Sequence, residues 1–181
     1  MPVEVRRLAR LLPSGALIAH PVGVDVTLPD GTRIRASSLS EREEHDPERS
    51  FGLYMDERWQ PTWPADIISW GDFGLPVDSE EAASQIEAAF SRAKCGEVVE
   101  IGCVGGLGRT GTVLACMAVL AGVDPADAVP WVRRTYDARA VETADQEKWV
   151  LWFSEWGRAT PPSRFSPRDS SRDSPKRWRS E

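Results

Sequence analysis

The chain has 181 residues, 41% of them hydrophobic, which is enough for one domain with a substantial core plus an appendage. A formal net charge of −6 argues against general nucleic-acid binding, and three cysteines without framework spacing argue against a disulfide scaffold. No stretch approaches the roughly 18 apolar residues of a membrane span, and Arg6, Arg7 and Arg10 lead into an apolar part that Pro13-Ser14-Gly15 ends at once, so a cytoplasmic chain with no membrane partner is expected.

Residues 16–39 alternate apolar stretches with turn signals, and Asp30-Gly31 between two alternating runs predicts a β-hairpin in a small N-terminal β element. Residues 40–50 are charged and read as a solvent-facing loop or short helix; His45 there has no cysteine or second histidine at ligand spacing, so no metal site is expected. An aromatic, proline-rich stretch, 59–65, leads to Ile67-Ile68-Ser69-Trp70, a short strand candidate. Trp70-Gly71-Asp72-Phe73-Gly74-Leu75-Pro76 reads on its own as a surface turn beside a core tryptophan.

Asp78 or Ser79 caps a helix with carboxylates in its first turn and Ala82, Ile86, Ala89, Phe90 and Ala93 at helical spacing, ending before Cys95-Gly96. Val98-Val99-Glu100-Ile101 suits a buried strand, and the apolar run 112–121 suits a buried helix closed near Gly122. Asp124-Pro125 starts another helix, which Pro130 should kink or delay. Arg133 and Arg134 on it are a basic rim or merely solvated. Thr143-x-x-Gln146 is a capping box for a last helix running to Trp156. From Arg158 onward seven basic residues face three acidic ones in a Ser-, Pro- and Arg-rich tail, read as disordered. The expected organisation is one α/β domain over 1–157 and a basic tail over 158–181.

Between strand and helix lies Gly102-Cys103-Val104-Gly105-Gly106-Leu107-Gly108-Arg109-Thr110-Gly111. Glycines let the backbone turn with its N–H groups inward, and the helix start adds unpaired donors and a positive dipole end, so the loop is an anion cradle. A Walker loop would need a lysine after its glycines, and Arg109 stands there instead. Gly106-Leu107-Gly108-Arg109-Thr110-Gly111 fits the dinucleotide fingerprint, but Asp124-Pro125 opens a helix where a second strand with an acidic end should come. A third reading takes Cys103 as a thiolate nucleophile among the loop's N–H donors, Arg109 as a planar fork for two phosphate oxygens, and Thr110 as a hydroxyl donor to the sulfur.

That spacing, Cys-x-x-Gly-x-Gly-Arg-Thr, resembles the signature loop of the cysteine-dependent protein tyrosine phosphatases, in a compact bacterial-type form. Residues 70–76 are similar to that family's movable acid loop, which implies Asp72 as general acid, with Gly71 where the family has proline. Residues 142–146 are similar to its Gln-Thr-x-x-Gln motif, which implies that Gln146 positions the water hydrolysing a phospho-cysteine; Glu142 replaces the first glutamine. The resemblance covers about 59–156 and implies a mixed or mostly parallel sheet flanked by helices. Cys103, Arg109, Asp72, Thr110 and Gln146 then carry the chemistry, and Val104, Gly105, Gly106, Leu107, Gly108 and Arg109 hold the phosphate. The expectation is a monomeric phosphoric monoester hydrolase, with neither cofactor nor metal, acting on phosphotyrosine in a protein. Small phosphate esters and phosphoinositides are the alternative substrates, although no basic residue lies between Val104 and Gly108 to favour highly charged ones. Gly102 stands where the family has a histidine, so a catalytically weak or inactive phosphate-binding module is the alternative from another class.

Overall fold

The computed structural model describes residues 23–39 and 49–159. Among these residues five strands form one sheet: β1 (Val24–Thr27), β2 (Arg33–Ser38), β3 (Phe51–Tyr54), β4 (Ala65–Ile67) and β5 (Val99–Cys103), in the order β1-β2-β5-β3-β4. Only the β1–β2 pair is antiparallel. It is the hairpin expected around Asp30-Gly31, with Gly31 at φ 89°. Parallel neighbours on both sides leave β5 central, and its carboxyl end, Cys103, falls where ligands bind in open α/β sheets.

Side chains alternate across the sheet, so Val99, Ile101 and Cys103 join the main core while Glu100 and Gly102 face the other way. Helix α1 (Ser79–Lys94) is capped by the Asp78 carboxylate, which accepts from the Glu81 N–H at 3.0 Å. It buries Ala82, Ile86, Ala89, Phe90 and Ala93 as its periodicity predicts, the larger two contributing roughly 1.5–3 kcal/mol each. Helix α2 (Gly108–Leu120) is buried around nearly its whole circumference, with α3 (Pro125–Thr135) and α4 (Ala144–Ala159) packed against it. A helix clad on all sides needs no polar face, which is why its sequence has none.

Four expectations are corrected. Helix α2 begins at Gly108, not after Gly111, so Arg109 and Thr110 sit in its first turn. The strand expected at 67–70 ends at Ile67; Trp70 instead makes an isolated bridge to Pro76 that closes the loop between them. Helix α3 starts at Pro125, capped by Asp124 as expected, so of the kink or delay foreseen at Pro130 the delay does not occur. Helix α4 continues past Trp156 to Ala159, taking in the first two residues of the expected tail; the rest of that tail, His45 and the basic N-terminal residues lie outside the described residues. Among the described residues no helix is long and apolar enough to cross a membrane.

Candidate active site

Cys103 is the last residue of β5, residues 104–107 bend, and Leu107 opens α2 with no side chain capping it. The first N–H groups of a helix have no partners within it, so this buried, uncapped start offers donors to an anion. Gly106 turns the loop at φ 69°, a conformation that suits glycine, and the Tyr136 hydroxyl donates to its carbonyl. The Cys103 thiol is buried, and the Thr110 hydroxyl donates to its sulfur at 3.1 Å.

Arg109 is 2% exposed. Its Nη1 donates to the Met55 carbonyl at 2.8 Å, to Asp56 Oδ2 at 3.0 Å and to the Trp70 carbonyl at 2.8 Å, while Nη2 donates to Asp72 Oδ1 at 3.2 Å. Its Nε is buried without a hydrogen-bond partner. Such an orphan donor is costly unless a ligand completes it. Nη1 is therefore anchored, and the Nε–Nη2 edge, which only the exposed Asp72 carboxylate touches, can grip an anion in the bidentate manner of arginine.

Asp56 takes Arg58 as well, through Nε at 2.8 Å and Nη2 at 2.9 Å. Hydrogen bonds from Arg58, and then from Arg109, hold the Asp56 carboxyl well below the usual carboxylate range against the opposing effect of burial. It stays charged wherever the protein is folded near neutrality.

Asp72 sits in a stapled loop. The Trp70 indole donates to the Gly74 carbonyl at 2.8 Å and packs on Trp149 with centroids 5.2 Å apart. The Asp72 carboxylate is 63% exposed yet touches Arg109, so solvent and the anion site both reach it. Gln146 is fully buried: its Oε1 accepts from the Glu142 N–H at 2.9 Å and its Nε2 donates to the Gly74 carbonyl at 3.3 Å. The Thr143 hydroxyl accepts from the Gln146 N–H at 3.2 Å, as the capping box predicts. Gln146 thus ties the acid loop to the turn before α4, whose Glu142 carboxylate lies against Gly108.

Cys103, Arg109, Thr110 and Asp72 are brought together, with Gln146 beneath the acid loop. Arg133 is no rim residue: it donates to the Ala140 and Val141 carbonyls at 3.0 and 2.8 Å and pairs with Glu147. Cys95 ends α1, beyond the far end of β5 from Cys103; the strand alone spans about 13 Å, too far for a disulfide. Sequence reasoning passed over Met55, Asp56, Trp59 and Tyr136. An acidic residue just past the apolar run 51–55 was the available signal for Asp56.

Residues 69–150 match the family described as PTP-SAK: Swiss Army Knife protein, DSP-PTPase phosphatase domain. Two uncharacterized proteins of Methanocaldococcus jannaschii are 34% and 36% identical over 56% of this chain, which covers 74% and 68% of their lengths. The chain belongs to the tyrosine and dual-specificity phosphatase family. The fold of this phosphatase domain agrees: Tk-PTP in its active form superposes with TM-score 0.58 at 23% identity, over 68% of this chain and 92% of that one. Kinase associated phosphatase, with its catalytic-site cysteine replaced by serine, gives 0.65 at 16% identity over 77% and 97%.

Proposed function

We propose that this phosphatase domain hydrolyses phosphate monoesters through a phospho-cysteine, with phosphotyrosine in proteins as substrate. The observation that carries the reading is Arg109, whose Nη1 is anchored three times while its buried Nε has no partner. A phosphoryl group over the Cys103 sulfur would complete that donor and accept the N–H groups of Val104 to Gly108.

In the first step the Cys103 thiolate attacks phosphorus in line, the P–S bond forms, and the ester P–O bond breaks. Asp72 gives its proton to the departing oxygen, which would otherwise leave as a poor alkoxide or phenoxide. Arg109 and the loop amides hold the equatorial oxygens, where charge accumulates. In the second step water attacks the phosphorus, Asp72 takes the water's proton, and the sulfur leaves, steadied by the Thr110 hydroxyl. Gln146 contributes to placing that water through the Glu142 turn it holds. The absence of any cation between Val104 and Gly108 favours a singly phosphorylated group such as phosphotyrosine over polyphosphorylated lipids or inositols.

The test is a pH–rate profile with a small aryl phosphate. The native chain is expected to turn over, and Asp72→Asn to lose roughly 10²–10⁴-fold in kcat with its basic limb flattened. No turnover at any pH would leave a phosphate-binding module.

A further inference from the structure

Gly102 precedes the nucleophile and faces the side of the sheet opposite the helices. A Cβ built there would lie 2.8 Å from Ser37 Oγ, 2.9 Å from Trp59 Cζ2 and 3.1 Å from the Ser37 carbonyl oxygen. The position is therefore already filled from outside. Trp59 is 2% exposed and stacks on Tyr54 with centroids 3.9 Å apart and planes 8° from parallel. The Tyr54 ring in turn lies back over Gly52, where any side chain would collide with it. Its hydroxyl donates to Glu100 Oε1 at 2.7 Å and accepts from the Trp63 indole at 3.0 Å. Arg49 closes the stack, pairing with Glu100 at 3.2 Å and lying 4.3 Å over the Trp63 ring. Burial and the Glu100 charge push the Tyr54 phenol well up, so it remains a donor at all ordinary pH.

The same short segment reaches the site by its backbone. The Met55 N–H donates to the Gly102 carbonyl at 2.9 Å, Met55 and Asp56 anchor Arg109, and the Trp59 N–H donates to the Asp56 carbonyl at 3.2 Å. Residues 55–59 thus set both the peptide that carries Cys103 and the guanidinium that faces it.

We propose that Trp59, backed by Tyr54, is a positioning residue for the nucleophile: its indole edge occupies the space beside Gly102 and fixes the backbone from which Cys103 projects. Gly102 and Trp59 are then one unit, in which a side chain before the cysteine is exchanged for a ring delivered from the neighbouring strand's loop. The absent side chain does not leave the loop unsupported. The proposal rests on Cys103 being the nucleophile, and its readouts include one that does not need turnover.

The experiment compares Trp59→Ala, Trp59→Phe, Gly102→His and the double variant Trp59→Ala/Gly102→His. Each is read by kcat and KM on an aryl phosphate, by the pH profile of Cys103 alkylation with iodoacetamide, and by thermal unfolding. Trp59→Ala is expected to lower kcat about 10–100-fold with KM within about threefold, and to move the alkylation midpoint to higher pH. Trp59→Phe, which keeps an aromatic ring on Tyr54, should recover most of both. Gly102→His alone should be nearly inactive because of the Trp59 and Ser37 contacts, and the double variant should exceed either single variant in kcat. Folded Trp59→Ala with unchanged kcat and alkylation profile overturns the proposal. So does a double variant no better than Gly102→His, which also decides the matter should Trp59→Ala alone fail to fold. If the native chain has no turnover, the alkylation profiles still judge Trp59 while the phosphatase reading falls separately.

Discussion

Arg109 has Nη1 anchored to Met55, Asp56 and Trp70 and Nη2 meeting Asp72, and on the proposed reading the remaining donor, Nε, serves the phosphoryl group. A lysine has the charge but neither the fork nor the reach to satisfy both sides. Arg109→Lys is therefore expected to lose about 10²–10³-fold in kcat, the scale of one removed transition-state donor, and to weaken inorganic phosphate as a competitive inhibitor. Steady-state kinetics with a phosphate titration checks this; near-native values would mean that the positive charge alone, not the guanidinium fork, is what the site needs. Cys103, Arg109 and Thr110 were legible because all three lie within one strand–loop–helix turn. Asp56 and Trp59 were not, because they act across the sheet: Asp56 is 53 positions from Arg109 in sequence, and nothing in a local spacing reports that meeting. Gly102 read as a gap for a related reason, since its occupant comes from another strand's loop.

At the scale of elements, Arg109 joins the loop after β3, through Met55 and Asp56, to the Trp70–Pro76 loop, through Trp70 and Asp72, and Asp56 holds that joint with its charge. A carboxyl whose native pKa is depressed stabilises the fold above its ordinary value of 3.8, and that contribution is lost as pH falls through the lower native value. Asp56→Asn should thus have a lower Tm than native protein at pH 7, with the gap narrowing only below about pH 4, where the carboxyl of the unfolded chain begins to be protonated while the native one is still charged. Thermal unfolding at several pH values tests the sign; a gap that widened in acid would refute the assignment. The hairpin, α1 and β5 were readable from alternation, caps and apolar periodicity. Strand β3 was not, because Phe51–Tyr54 is buried on both faces and shows no alternation. The strand expected at 67–70 failed where Trp70 gives its carbonyl to Arg109 rather than to a ladder.

For the whole molecule, the order β1-β2-β5-β3-β4 puts the cysteine at the carboxyl end of the central strand, and supporting groups arrive from strands on both sides of it. Ser37 comes from β2, Tyr54 and the Asp56–Trp59 segment from β3, and Asp72 from the loop after β4. Helix α2 then brings Arg109 and Thr110 over the sulfur, and α4 brings Gln146 beneath the acid loop. On the proposed reading these parts serve one covalent intermediate. It is tested most directly by acid-quenching the enzyme during turnover of an aryl phosphate and mapping the phosphoryl group by mass spectrometry. Phosphate is expected on Cys103 in the native chain, more of it in a variant slowed in the second step, and none in Cys103→Ser. Turnover with no phosphate on Cys103, or full activity in Cys103→Ser, would contradict it.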